Sequence, residues 1–191
     1  MAVTQNNTKN VSYGKFKTGA YFFVAPYGTT LPTDNSTELD EAFVNMGFMG
    51  DDGFVFDNSV SAETAQDANG DTIATNAGAV TKTMTTTFRE IKKDSMAVVY
   101  GSDNVTDASG VLTIKDCGPN NEQLSAVVEI LLGNGRHDRK VIESCTPNQL
   151  GSESIVYSAL VGKPMTWSIS MGATTGAYSV DYIDSTETSK G

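Results

Sequence analysis

At 191 residues, 39% of them hydrophobic, the chain is long enough for one domain with its own core and too apolar to be a disordered segment. Its 23 acids against 13 bases give a formal charge of −10, the reverse of the balance expected of a protein that grips nucleic acid. Thr, Ser, Asn and Gly are plentiful and the long helix formers are few, which favours strands joined by turns.

In chain order, the opening "MAVTQNNTKN" is polar and has no apolar core of a leader, so the expectation is a soluble protein made in a cytoplasm, with residues 1–17 as a mobile arm. The longest apolar run, Ala20 to Ala25, is too short to span a bilayer as a helix. Gly19 to Ala25 is apolar at both parities and reads as a strand covered on both sides, ended by Pro26 and Gly28. Leu39, Ala42, Phe43 and Met46 then fall at helical spacing. With Thr37 and Asp40 as a capping box and Gly47 as a stop, they predict a short helix over residues 37–45. "GFMGDDGFVFD" reads as two strand pieces around a turn.

Residues 58–79 are polar, rich in Ala, Thr and Asn, and long for a loop inside a compact domain. Asp67, Asn69 and Asp71 alternate around Gly70 in faint likeness to a calcium loop, but the closing bidentate acid is missing and an ordinary Asn-Gly turn fits better. Between Lys17 and Lys82 lie ten acids and no base, while the other 13 acids are matched by 13 bases, so this block carries the whole net charge. Such a block reads as a solvated acidic face, or as a surface that must not adhere to an anion.

Two later strands carry the clearest alternation. Over Val80–Arg89, Thr81, Thr83, Thr85 and Thr87 share one face, with Val80, Met84 and Phe88 on the other. Over Met165–Ala173, Thr166, Ser168, Ser170 and Gly172 stand against Met165, Trp167, Ile169 and Met171. The plain reading of each hydroxyl row is the solvent face of an antiparallel sheet. Solvent faces usually carry Lys and Glu, however, and these carry almost none, which points to a smooth, weakly interacting surface facing something enclosed.

Between them, Asp94 to Tyr100 predicts a short helix stopped at Gly101. Strands are expected at Val111–Lys115, at Gln123–Leu132 and Arg136–Ser144 around an Asn134-Gly135 hairpin turn, and at Ser154–Val161. "GNG" there resembles a phosphate-loop fragment, but a charged strand rather than a helix follows it. Tyr178, Val180 and Tyr182 alternate as a last strand, and residues 185–191 form a frayed tail.

No constellation for catalysis emerges. The one histidine, His137, sits in the charged "RHDRK" and reads as exposed, and there is no zinc spacing and no nucleophile elbow. Asp51-Asp52 lies in a Gly-flanked turn, and Cys117 and Cys145 read as two buried thiols rather than a disulfide. The expectation is a non-enzyme with no cofactor and no metal.

The run "TGAYFFVAPYGTTLPTDNSTELDEAFVNMGFMGDDG" resembles the N-terminal signature of the major tail tube proteins of long, flexible-tailed (siphovirus) bacteriophages. Gly19, Ala25, Pro26, Gly28, Thr29, Thr30, Pro32 and Thr33 carry it, followed by Leu39, Ala42, Phe43, Gly47, Phe48 and Gly53. It is strong over about residues 13–57 and looser onward to Met171. One departure, Ala68-Asn69-Gly70 where many relatives carry aromatic-Gly-Gly, leaves the contacts of that loop open.

The resemblance implies one tail-tube β-sandwich domain over 18–184 with one or two short flanking helices. Hexameric rings would stack into a tube, and inner sheets would join as a barrel around a channel for DNA. On that view Thr81, Thr83, Thr85, Thr87, Thr166, Ser168 and Ser170 face the lumen. Loop 58–79 with its flank, including Asp57, Glu63, Asp67, Asn69 and Asp71, lies between rings. Gly19, Pro26, Gly28, Pro32, Leu39, Phe43, Gly47 and Gly53 are structural. The implied partners are further copies of the chain, tape-measure and tail-tip or terminator proteins, and DNA passing without specific binding, with no membrane, in a virion assembled in the host cytoplasm. A secretion-tube relative would share the fold, and a monomeric adhesin or decoration module would share the composition.

Overall fold

In the computed structural model residues 8–185 are described. They form β1 (Gly14–Phe16), β2 (Phe22–Pro26), β3 (Val44–Asn45), β4 (Met49–Gln66), β5 (Thr72–Phe88), α1 (Lys93–Tyr100), β6 (Val105–Ala108), β7 (Val111–Ile114), β8 (Leu124–Leu132), β9 (His137–Leu150), β10 (Lys163–Ser170) and β11 (Val180–Ile183). The fold is mainly β, as the composition predicts. Nine strands belong to one sheet, ordered β3-β2-β8-β9-β10-β5-β4 with β1 on β8 and β11 on β9, while β6 and β7 pair separately. No closed barrel is seen among the described residues. Residues 1–7 of the expected arm and 186–191 of the expected tail lie outside them. The inner part of that arm is a strand: Gly14, Lys15 and Phe16 pair antiparallel with Leu132, Leu131 and Ile130.

The contacts divide the chain into two compact units. The first takes residues up to 47, 124–144 and from 171 on. Here β2 pairs antiparallel with β8, Phe22 opposite Val128 and Val24 opposite Ala126, and all four are buried. Ala25, Phe43, Val127 and Val141 form a core cluster onto which Phe23, Leu31, Leu39, Ala42 and Tyr182 pack.

The helix expected over 37–45 does not form. The Asp34 carboxylate accepts the backbone N–H groups of Ser36 and Thr37 and both their hydroxyls, while Asp40 accepts Ala42 N–H at 3.0 Å. Asx turns thus take the donors a first helical turn would need. The apolar spacing is real, but Leu39 and Phe43 serve a loop laid on the sheet, and residues 44–45 pair with β2 as a strand.

A buried charge pair fixes that loop. Glu129 on β8 and Arg139 on β9 are 2% and 5% exposed, with Nε and Nη2 of the guanidinium each 2.8 Å from Glu129 Oε1. The remaining Nη1 donates to the carbonyls of Asp34 and Thr37. His137, expected to be exposed, is largely covered, with Nε2 2.9 Å from Glu129 Oε2 and Nδ1 2.8 Å from the Asn35 carbonyl. Asp184 accepts the His137 N–H and the Asn35 amide, and these bonds hold its carboxyl below its ordinary range.

The second unit takes residues 48–123 and 145–170. Its core is Met84 and Phe88 of β5, Met165, Trp167 and Ile169 of β10, and Met96, Val99 and Tyr100 of α1, with the Phe88 and Trp167 rings tilted at 6.4 Å. The helix expected at 94–100 forms and stops at Gly101, whose φ of 89° suits glycine. Its first turn is held by Ser95, which accepts from Lys92 N–H and donates to Glu90 O.

Three expectations change here. "GFMGDDGFVFD" opens one long strand, β4, with a register shift between Met49 and Phe54. Residues 58–79 are not an irregular loop but the outer part of the β4–β5 hairpin, paired to Gln66 and Thr72. Ser154–Val161 is not a strand: the segment is exposed, and Ser158 turns with a φ of 67°.

The Asn134-Gly135 hairpin does join β8 to β9, through a three-residue turn closed by Leu132 N–H to Arg136 O with Gly135 at a φ of 77°. β6 had no sequence signal, since only Val105 of its four residues is apolar and buried. Cys145 is buried, its thiol pushed up to about 12 by burial, but Cys117 is exposed.

Removing one partner of a buried pair strands the other charge. Arg139→Ala should therefore cost about 3–5 kcal/mol in urea unfolding of the unassembled chain, whereas the paired Glu129→Leu, Arg139→Met replacement should cost less.

Candidate functional site

The two hydroxyl rows meet. β10 pairs antiparallel with β5 so that Thr166 lies opposite Thr85 and Ser168 opposite Thr83. Residues directly opposite share a face, and the Thr85 and Thr166 hydroxyls are 3.3 Å apart. On the other side of β5, Val55, Asp57 and Ser59 of β4 lie opposite Thr85, Thr83 and Thr81. The result is one three-strand face of short hydroxyl side chains with Val55, Asp57, Pro164 and Ser170 among them, and no Lys or Arg at any of these positions.

Its reverse is the core face, with Met84, Thr86 and Phe88 of β5 and Met165, Trp167 and Ile169 of β10 all buried. Thr86 adapts to that side by donating to the Gly53 carbonyl at 3.1 Å. Lys82 shares the parity of Met84, so the cation nearest the Thr row points away from it. Val80, assigned to the apolar face from its spacing, is 42% exposed because the hairpin has by then left the core.

The structure separates the residues grouped as the loop set. Asp57 joins the hydroxyl face, opposite Thr83, whereas Glu63, Asp67, Asn69 and Asp71 belong to the outer hairpin. There, from Asp57 to Asn76, every side chain except the half-buried Asp67 is exposed. The distance from Val60 to Gln66 is about 20 Å at strand rise.

At its tip Asp67 accepts the N–H groups of Asn69 and Asp71, bonds that lower its pKa and take up the carboxylate as a turn former. Gly70, at a φ of 86°, completes the turn. Asp51 faces Arg89 at 3.4 Å rather than a catalytic partner.

The signature residues have structural work to do. Gly19, Gly28, Gly47 and Gly53 all adopt positive φ, from 65° to 90°, which side-chain-bearing residues rarely enter. Pro26 ends β2, Pro32 is buried, and Leu39 and Phe43 reach the core cluster.

The segment Tyr27–Thr33 also lines a cavity of 420 Å³ with Ser125, Val141, Glu143, Thr174, Thr175 and Tyr182. Glu143 is buried, and its two oxygens accept the N–H groups of Thr174 and Thr175 at 2.8 and 2.7 Å. Burial opposes its ionisation, but those donors outweigh it and hold the pKa down to about 2. Gly172 has no room for a side chain beside this carboxylate, since a Cβ would stand 2.2 Å from Glu143 Oε2. This cavity carried no sequence signal, because "GATTG" reads only as a turn and its approach to Glu143 depends on the fold.

A mainly β chain with a broad uncharged face and loops held by backbone geometry is a structural subunit in class. The chain belongs to the phage tail tube proteins: the family model for "Phage tail tube protein" matches residues 15–180. It is therefore a structural component of the virion, of a family that assembles into a tube. The search of curated proteins returned no match. Among the described residues no helix is long and apolar enough to cross a membrane, and no group of three or more His, Cys, Asp or Glu is placed to hold a metal.

Glu143 has a folded pKa of about 2 against 4.5 for the free group, so its contribution to stability is present above pH 4.5 and is lost as the pH falls toward 2. Thermal unfolding of the unassembled chain should show that decline. Glu143→Gln should be less stable at pH 7 and have a flatter profile across this window.

Proposed function

We propose that the chain assembles as hexameric rings stacked into the tube of a long, flexible phage tail, with the hydroxyl face of β4, β5 and β10 toward the channel. The observation that supports this reading is the continuity of that face: Thr81, Thr83, Thr85, Thr87, Thr166, Ser168 and Ser170 lie on adjoining strands without a cation among them. DNA must slide through such a channel without being held. Each phosphate contact by Lys or Arg adds salt-dependent affinity, whereas neutral hydroxyls and Asp57 add little or oppose it.

β4 ends the strand order of the sheet, and pairing it with a neighbouring subunit would extend the sheet toward a barrel and cover an edge that is otherwise an aggregation hazard. In this reading the arm of residues 1–17 and the outer hairpin of residues 58–79 engage neighbouring subunits, and tape-measure and terminator proteins occupy the channel and the tube end. Assembly in the host cytoplasm belongs to the same reading.

Lysines introduced as Thr83→Lys and Thr85→Lys should leave tails assembled but slow DNA ejection, with recovery as salt is raised. Normal ejection from tails shown to contain the variant would exclude this face from the channel. Hydrogen exchange supplies a second check. The outer hairpin, exposed on both faces, should exchange rapidly in the unassembled chain and be protected in the tube. Equal protection in both states would remove it from the contacts. Electron microscopy separates the classes: stacked rings support the tube, and a persistent monomer supports an adhesin or decoration module.

A further inference from the structure

The segment expected as a strand at Ser154–Val161 leaves an unusual surface. Ile155, Val156, Tyr157 and Leu160 are 75%, 57%, 99% and 76% exposed, a run of large apolar side chains with no strand to bury them. It is held by its ends rather than by a core. Arg89 donates to the Leu160 carbonyl, and Gly162 is packed so closely that a Cβ there would stand 2.7 Å from Thr87 Cγ2. Elsewhere on the chain, the 420 Å³ cavity is walled by Tyr27, Leu31, Pro32, Val141 and Tyr182, with the ionised Glu143 as its one charged group. One surface offers a protruding phenol within an apolar run, and the other offers an apolar recess with an acceptor carboxylate.

We propose that Tyr157 of one copy inserts into the Tyr27–Thr33 cavity of the next copy, with the flanking Ile155 and Leu160 covering its mouth. This rests on the reading of the chain as a self-assembling tube subunit and names a contact within it.

Knob and recess are different residues, so the contact is heterologous: each copy uses both, and the series can continue, whereas a self-complementary patch would stop at a dimer. A cavity of this volume lies within the ~300–1,000 Å³ range of pockets that accept small ligands, ample for one aromatic side chain. The Tyr157 hydroxyl supplies a donor for Glu143, and a hydrogen bond to an ionised acceptor is stronger than one between neutral groups. Aromatic anchors seated in desolvated pockets dominate binding energy at interfaces.

The test places a photo-crosslinking benzophenone amino acid at position 157 in the full-length chain. Equal amounts of isotopically light and heavy protein are irradiated at high concentration, and the crosslinked peptides are mapped by mass spectrometry. The expected product is a ladder of covalent oligomers whose mixed-isotope crosslinks fall within residues 27–33 or on Tyr182. Thr30→Trp, at the cavity mouth, should cut the yield by about thirtyfold, the effect of losing an interface anchor. A Tyr157→Ser chain should retain its circular dichroism and lose assembly by a similar factor.

Inter-copy crosslinks to other residues, or none, overturn the proposal. Microscopy of the same samples keeps the two readings apart. Tubes without the expected crosslink leave the tube standing and remove this contact. The expected crosslink in a closed, non-tubular oligomer keeps the contact and removes the tube.

Discussion

The first unit depends on a single buried arrangement, the Glu129 carboxylate paired with the Arg139 guanidinium between β8 and β9. A charge pair taken out of water returns little net stability, and here its value is positional. Every nitrogen of Arg139 is engaged: two on Glu129 and the third on the carbonyls of Asp34 and Thr37. His137 and Asp184 repeat the pattern, each tying Asn35 to the sheet. The loop after the signature is therefore held by a fixed set of donors, and the cavity wall beside it inherits that rigidity.

The second unit works by the opposite means. Its hydroxyl face is positioned by strand pairing alone, and the register that sets Thr166 opposite Thr85 is imposed by the packed reverse side, where Trp167 lies opposite Met84. A slip of one residue would turn the apolar row outward and the hydroxyl row inward, a change the core does not tolerate. The uncharged face and the core are two readings of one alternation.

Some of this was legible in the sequence and some was not, for physical reasons. The period of two in Val80–Arg89 and Met165–Ala173 reported strand faces directly, because side-chain direction in a strand is set by parity. Helical spacing at Leu39, Ala42, Phe43 and Met46 misled, because Asp34 and Asp40 take the N–H groups on which a helix would depend. The apolar run Ser154–Val161 misled in the same way: composition cannot report that no neighbouring strand is there to pair with it. The Thr-rich, Asn-rich stretch of residues 58–79 looked like loop, yet a hairpin needs only ladder bonds and a good turn, which Asp67 and Gly70 supply. His137, Glu129 and Arg139 are brought together by the β8–β9 register, and the cavity around Glu143 by a chain return from residue 171, neither of which is local.

The stiffness of the hydroxyl face has a further consequence. Thr is β-branched and short, with its rotation restricted by the strand that bears it. A row of such residues cannot reach toward a passing charge as a lysine does on its flexible stem, nor adapt its relief to a particular ligand. Whatever moves across it meets a fixed texture of methyl and hydroxyl groups, and each contact can be exchanged for water at little cost. Resistance to motion on such a surface comes from the shape of the strands rather than from side chains that must let go.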